Sequence, residues 1–249
     1  MSVREWDGSS YDRISATMEA LGREVLGRLE LNGDELVIDA GCGSGRITAA
    51  LIERLPRGRV IAVDQSESMI EAARRRLGGR AELRVLDLLE LELDEPADAI
   101  LSTATFHWIA DHALLFRRLR AALRPGGRLA AQCGGRGNID VLRGKAGRVC
   151  ARAPYAEHFE GWRAPWNYAG PRETRELLLA AGFRSAECRL TPAPREPEAP
   201  REFLTTIVLG PHVQRLPVAL REPFMDEVLA QLGEPVVVDY VRLNIDAVA

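Results

Sequence analysis

The sequence predicts an α/β fold built on a parallel sheet with helices on both faces. Three observations predict it. Short apolar runs of strand length alternate with helical periods between residues 35 and 134. Those runs are almost continuously apolar, as strands buried on both faces are. Three of them end in an acid, at Asp39, Asp64 and Asp87, and the first leads into a glycine-rich turn. Strands joined through helices run parallel, and right-handed crossovers make such a sheet doubly wound.

The elements follow in order. Residues 12–29 read as a helix: Ile14, Met18, Leu21, Val25 and Leu29 make one apolar stripe, with Ser9 or Ser10 as its cap. GDELVIDAG reads as a buried strand, and GRITAALIERL as a helix stopped by Pro56. GRVIAVD (58–64) is the second strand. Ser66 opens the next helix, Ser68 and Glu71 stand as a capping box, and Gly78-Gly79 closes it. AELRVLD (81–87) and ADAILSTA (97–104) are the third and fourth strands. Asp111 caps a helix whose Leu115, Leu119 and Ala122 face the core, and RPGG (124–127) turns it into a fifth strand, RLAAQCG. Residues 134–170 break the rhythm with a long, partly helical, aromatic-rich segment of the kind that forms lids or binding walls. A helix over 171–183 ends at Gly182, and RSAECRLTPAP is a strand fading into a Pro-rich loop. Two helical segments fill 200–232 around Pro211 and Pro217, and VVVDYVRLNIDAV (236–248) is the last strand.

Bulk properties narrow the function. With 249 residues, 46% of them hydrophobic, the chain can bury a large core. A net charge of −3 creates no field favouring nucleic acid. No apolar run reaches membrane-spanning length, and MSVREWDGSSYDR has no apolar leader core, so the expected location is cytoplasmic. Cys42, Cys133, Cys150 and Cys188 form no C-x-x-C pair and read as buried thiols rather than metal ligands or disulfides. No metal is expected.

The stretch VIDAGCGSGR (37–46) carries the chemistry. A dinucleotide fingerprint needs glycine at position 46, which is Arg46; the third glycine, Gly45, comes one residue early. A P-loop needs Gly-Lys-Ser/Thr, yet the only lysine in the chain is Lys145. Three acids at the carboxyl ends of neighbouring strands make a poor pyrophosphate site. They suit a ligand with hydroxyls, an exocyclic amine and positive charge. S-adenosylmethionine (SAM) has a ribose diol, an adenine amine, an α-ammonium and a sulfonium.

D-A-G-C-G-S-G (39–45) resembles the first motif of class I SAM-dependent methyltransferases. V-D-Q-S (63–66), V-L-D-L (85–88) and L-R-P-G-G (123–127) are similar to the later motifs of that family. A narrower resemblance, to the trans-aconitate methyltransferase group, covers W-D-G-S-S-Y (6–11), A-T-F-H-W-I-A-D-H (104–112), L-A-A-Q (129–132) and D-Y-V-R-L (239–243). The sequence departs from that group at Phe106-His107-Trp108, commonly F/L-Q-W there, and at 133–138, where M-P-D-N-like residues are usual. The resemblance implies a Rossmann-like, seven-stranded, mostly parallel sheet with an antiparallel last strand and a helical lid insertion. It implies a single domain over 1–249: a cofactor-covering helix in 1–30, a SAM-binding core in 35–133, and lid elements in 134–170 and 200–232. The implied activity is SAM-dependent methylation of a small molecule, at a carboxylate or hydroxyl oxygen, with S-adenosylhomocysteine (SAH) as product and the protein a monomer or homodimer.

Roles follow for single residues. Gly41, Gly43 and Gly45 bring backbone close to the methionyl part and ribose, or else make a plain helix-entry turn. Asp64 accepts the ribose hydroxyls, with Gln65 and Met69 at the adenine's edge and face. Asp87 accepts the adenine amine while the Leu88 N–H meets a ring nitrogen. Carbonyls of Ser102 and Thr103 can take the ammonium. Asp39 orients the loop or meets the ammonium through water. Trp6 and Tyr11, by the family resemblance, fold over the cofactor, where an aromatic face beside a sulfonium gains about 1 kcal/mol; ordinary packing is the alternative. His107 is a base if the acceptor is a hydroxyl, a positioning group if it is a carboxylate, or simply packed. Trp108, Trp162 and Trp166 are candidate acceptor walls. Arg136, Arg143, Arg148, Arg152 and Arg163 either grip a polycarboxylate or form a solvated face. His112 reads as a surface or capping residue. N- or C-methylation, a non-catalytic SAM-binding role and an NAD(P)-dependent oxidoreductase are the rival readings.

Overall fold

A computed structural model describes the backbone from residue 16 and side chains from Glu19 to the C-terminus. Trp6, Tyr11 and the expected caps Ser9 and Ser10 lie outside the described residues. A helix α1 (Ala16–Gly27) leads into strands β1 (Leu36–Ala40), β2 (Arg59–Asp64), β3 (Glu82–Val85), β4 (Ala97–Thr103) and β5 (Leu123–Gly134). Helices α2 (Arg46–Glu53), α3 (Glu67–Leu77) and α4 (His112–Ala122) connect them. The sheet has seven strands in the order β3-β2-β1-β4-β5-β7-β6, with β6 at Ser185–Pro192 and β7 at Val241–Val248. Strands β1 to β5 pair in parallel; β7 is antiparallel to both β5 and β6. This is the class I methyltransferase architecture.

The sheet changes direction of growth between β1 and β4. From there the chain adds β2 and β3 on one side and β5 on the other. Such a switch point leaves a crevice beyond the carboxyl ends of the two strands. β1 is buried at all five positions, so its hydrophobic run sits between helix layers on both faces.

A second hydrophobic cluster lies beside the sheet. Helices α5 (Asp140–Cys150), α6 (Ala156–Phe159), α8 (Pro200–Phe203), α9 (Gly210–Arg215) and α10 (Val218–Leu232) pack around Leu142, Tyr155, Leu204, Phe224 and Val228. Both expected lid segments, 134–170 and 200–232, supply this cluster. Helix α7 (Pro171–Ala180) instead packs on the sheet beside β6.

Several local expectations change. β3 stops at Val85, because the Asp87 carboxylate accepts from the Leu89 N–H at 2.9 Å and starts a tight turn over Leu88–Glu90. Helix α3 is capped by Ser66 rather than by a Ser68–Glu71 box; the Ser66 hydroxyl accepts from the Met69 N–H. β5 begins at Leu123, so RPGG lies within its first residues. β7 begins at Val241, not 236: Val236, Val238 and Tyr240 leave the sheet and are buried in the lid cluster. Ser66 and Asp111 do cap their helices, and Gly78 closes α3 in the left-handed conformation. All four cysteines are free thiols; burial pushes Cys133 up to about 12, far from a reactive thiolate. No described helix is long and apolar enough to cross a membrane.

Candidate active site

The glycine loop fills the crevice. After β1 the Gly41 and Cys42 N–H groups both donate to the Val63 carbonyl, at 2.8 and 2.9 Å, which folds the loop back over β2. Gly41 has φ 85°, and a Cβ there would fall 2.0 Å from the Thr105 hydroxyl oxygen. Glycine is therefore required where β1 and the end of β4 approach. Around Gly43, by contrast, nothing lies within 4 Å of an added Cβ, so bare backbone faces open space.

Asp64 is tied into this loop. One carboxylate oxygen accepts from the Gly43 N–H and the other from the Ser66 N–H, each at 2.9 Å. A carboxylate has about four acceptor sites, so it can take more than one donor at once. Asp39 sits one layer deeper and fully buried. Its Oδ2 accepts from the Thr48 hydroxyl at 2.6 Å, while Oδ1 has no hydrogen-bond partner. Burial, opposed by Thr48 and reinforced by the charge of Asp64, pushes it up to about 6. An orphaned, partly protonated acid behind the loop fits a cationic ligand in front of it. Met69 and Leu88 are buried and Gln65 and Asp87 exposed, at the carboxyl ends of β2 and β3. The Ser102 hydroxyl donates to the Ala40 carbonyl, tying β4 to β1, and the Thr103 carbonyl accepts from Thr105.

One pocket is lined by this loop together with Thr103, Ala104, Gln132, Arg242 and, from α1, Glu19 and Gly22. A second pocket adjoins it. His107, Trp108, Trp166, Tyr168, Ile207 and Tyr240 contribute to its lining, and it shares Ala104 and Arg242 with the first. Ala104 has φ 57°, a left-handed backbone that turns the chain from β4 toward His107 between the two pockets.

His107 is buried, and its Nδ1 accepts from the Gly134 N–H at 3.3 Å. A ring nitrogen that accepts carries no proton, so the neutral ring holds its proton on Nε2, as a donor. Tyr168 stacks on this ring at 5.8 Å, and Trp166 stacks on Tyr168 at 5.8 Å. Gly134 makes the stacking feasible: a Cβ there would lie 2.6 Å from the Tyr168 ring.

Arg242 is almost wholly buried, 3% exposed. Its Nε donates to Gln132 Oε1 at 3.3 Å, and Gln132 Nε2 donates to Asn244 Oδ1 at 2.9 Å. Arg28 also donates to Asn244 Oδ1, at 2.8 Å. This chain of side chains across β5 and β7 holds the guanidinium at the junction of the pockets.

Other candidates lie elsewhere. Trp162 is not at this pocket. It packs edge-on against His212 and Phe159 behind Trp166, because the intervening aromatic residues fill the space between. His112 is buried, not on the surface: its Nε2 is 2.9 Å from the Phe106 carbonyl. All five lid arginines are exposed; Arg136 pairs with Glu173 and Arg143 with Asp140. Arg143 also lies 5.9 Å over the Tyr168 ring, at the edge of the second pocket's wall. Arg242 and Gln132 were not singled out from the sequence, although both fall in stretches that carry the narrower resemblance, L-A-A-Q and D-Y-V-R-L. Their signal was polar residues inside otherwise apolar strands.

Known proteins share parts of this sequence and its fold. A methyltransferase-domain family model matches residues 37–127. A trans-aconitate 2-methyltransferase of Acidovorax sp. (strain JS42) is 29% identical over 242 residues, 93% of this chain and 90% of that protein. One from Azoarcus sp. (strain BH72) is 39% identical over 127 residues, about half of each chain. The Haemonchus contortus phosphoethanolamine N-methyltransferase 2, solved with phosphomonomethylethanolamine and S-adenosylhomocysteine, superposes with a TM-score of 0.65 at 17% identity, covering 97% of this chain and 56% of that one. Residues 37–127 thus match a methyltransferase domain, and the fold is that of class I, SAM-dependent methyltransferases.

Proposed function

We propose that the protein methylates a carboxylate oxygen of a small-molecule acid. The observation that carries this reading is the buried Arg242 guanidinium, shared by the loop pocket and the pocket beside it. In the first pocket the 41–45 loop holds the methionyl part of SAM; outside that lining, at the carboxyl ends of β2 and β3, Asp64 takes the ribose hydroxyls. Met69, Leu88 and Asp87 take the adenine, and Gln65 its edge. Carbonyls of Ser102 and Thr103 offer acceptors to the ammonium, with the buried charge of Asp39 behind them. When bound, SAM supplies a methyl group to an anionic oxygen, whose lone pair forms the new C–O bond as the S–C bond breaks and leaves its electrons on sulfur.

The chain's own residues do the positioning. Arg242 neutralises and orients the acceptor carboxylate, and His107 donates to it from Nε2. Neither has to remove a proton, since a carboxylate is already an anion. Trp108, Trp166 and Tyr168 exclude water from two opposite charges that transfer will neutralise. An amine or hydroxyl acceptor would need a base, and the acceptor nitrogen of His107, Nδ1, is already taken by the Gly134 N–H.

The test is product chemistry. The purified protein is incubated with SAM and a panel of acids, phenols and amines, and products are identified by mass spectrometry. A base-labile methyl ester is expected; a base-stable ether or N-methyl product overturns the reading. His107→Gln keeps a donor, so it should retain activity within about tenfold with an unchanged pH–rate profile.

A further inference from the structure

The acceptor pocket also constrains the body of the acid. Building on the carboxylate reading above, we propose that the acceptor is a flat, largely apolar monocarboxylic acid rather than a tricarboxylate. Among the described lining residues Arg242 is the one arginine or lysine, and the His107 ring accepts from Gly134 at Nδ1. None of the lid arginines is in that lining: all five are at exposed positions, and Arg143, 5.9 Å over the Tyr168 ring, pairs with Asp140. The rest of the wall is apolar or aromatic, including Ile139, Ile207 and Val208, except for the buried Asn138, whose Oδ1 already accepts from the Val241 N–H.

Ring geometry adds shape. Tyr168 lies within 12° of parallel to Trp166 and 28° of parallel to His107. Rings aligned in this way make a flat aromatic wall, against which a flat apolar body packs. Burial holds Tyr168 as a neutral phenol, well above its ordinary value, so it adds no charge of its own. A second or third carboxylate would be desolvated against Ile207 and Val208 with no cation to meet it. One guanidinium beside flat apolar walls matches one carboxylate on a flat apolar body.

The test is binding, read by quenching of tryptophan fluorescence in the full-length protein with SAH present. The probes are trans-cinnamate, cinnamide and trans-aconitate. Cinnamate should bind at least tenfold more tightly than both others, and Arg242→Met should remove its advantage over cinnamide. If trans-aconitate binds as tightly as cinnamate and Arg242→Met weakens both, the inference falls while the carboxylate reading stands. If cinnamide binds as well as cinnamate, the carboxylate reading itself falls. Because Arg242→Met removes a buried side chain, a second variant guards the result. Ile207→Arg adds a cation to the half-buried apolar wall and should raise trans-aconitate affinity at least fivefold relative to cinnamate. No change in that ratio would overturn the assignment of Ile207 to the acceptor wall and, with it, the inference.

Discussion

The glycine loop and the pocket around His107 are adjacent and are built in opposite ways. The loop is five consecutive residues, and its contacts are mostly backbone N–H groups, with Asp64 bracing it from the next strand. The pocket draws on β7, the turn after β4 and the segments 134–170 and 200–232, and its walls are side chains. Backbone approach depends on local conformation, which a short motif can encode. A wall of rings depends on which helices the lid core brings together. The same division separates what is donated from what receives it.

That comparison can be broken most sharply at the loop. Gly41→Ala places a methyl group on the Thr105 side chain in a left-handed conformation. It should lower SAH affinity by about two orders of magnitude and destabilise the fold by about 2–4 kcal/mol. Calorimetric titration and urea unfolding would measure the two effects. Acceptor binding should weaken much less than SAH binding if the two halves are built independently.

His212 tests the lid core. It is buried among Phe159, Trp162, Trp166 and Phe224, with Nδ1 unpartnered. Burial, with Arg143 nearby, pushes it down to about 4. The folded state resists a proton that the unfolded chain takes near its ordinary value of about 6.5. Stability is therefore complete above that value and is lost as pH falls toward 4. His212→Phe keeps the ring packing and removes this loss. Its advantage over the parent should grow to about 2–3 kcal/mol as pH drops from 7 to 4.5, read from urea unfolding at each pH.

Asp39 tests the base of the loop with the opposite sign. Its folded value of about 6 lies above the ordinary aspartate value, so the charged form is the penalised one. The penalty appears as pH rises from about 4 and is complete above 6. Asp39→Asn keeps an acceptor for Thr48 and should stabilise the protein by about 2 kcal/mol at pH 8 with no gain at pH 4. SAM affinity should fall in the same variant, because the charge facing the ammonium is gone. A rise or no change would remove Asp39 from the site.

The smallest effect is expected on the outer lid. Arg148→Ala and Arg163→Ala, at exposed positions, should leave stability within about 0.5 kcal/mol and acceptor KM within about twofold. A larger rise in KM would return the lid arginines to acceptor binding and weaken the contrast between buried and solvated cations.

Much of the fold was legible in order along the chain. Apolar runs of strand length, acids at their ends and the caps at Ser66 and Asp111 are local signals. They located β1, β2, β4 and their helices within a few residues. Boundaries failed where a side chain intervened, as Asp87 does at the end of β3, or where distant packing did, as the lid core does in withdrawing 236–240 from the last strand. His112 was misread because exposure is a property of the assembled core, not of a helix's first turn.

By itself, then, the sequence determined the sheet, the loop and the kind of cofactor that loop suits, since each depends on backbone conformation and near neighbours. Only the tertiary structure decided which cation is buried in the wall of the second pocket. Seven arginines compete for that role on paper if Arg28 and Arg242 are set beside the five of the lid. Desolvation separates them: Arg242 is buried at the end of the Arg28–Asn244–Gln132 chain, and the five lid arginines remain in water. The tautomer of His107 was likewise invisible until Gly134, 27 residues along the chain, was seen to donate to its ring.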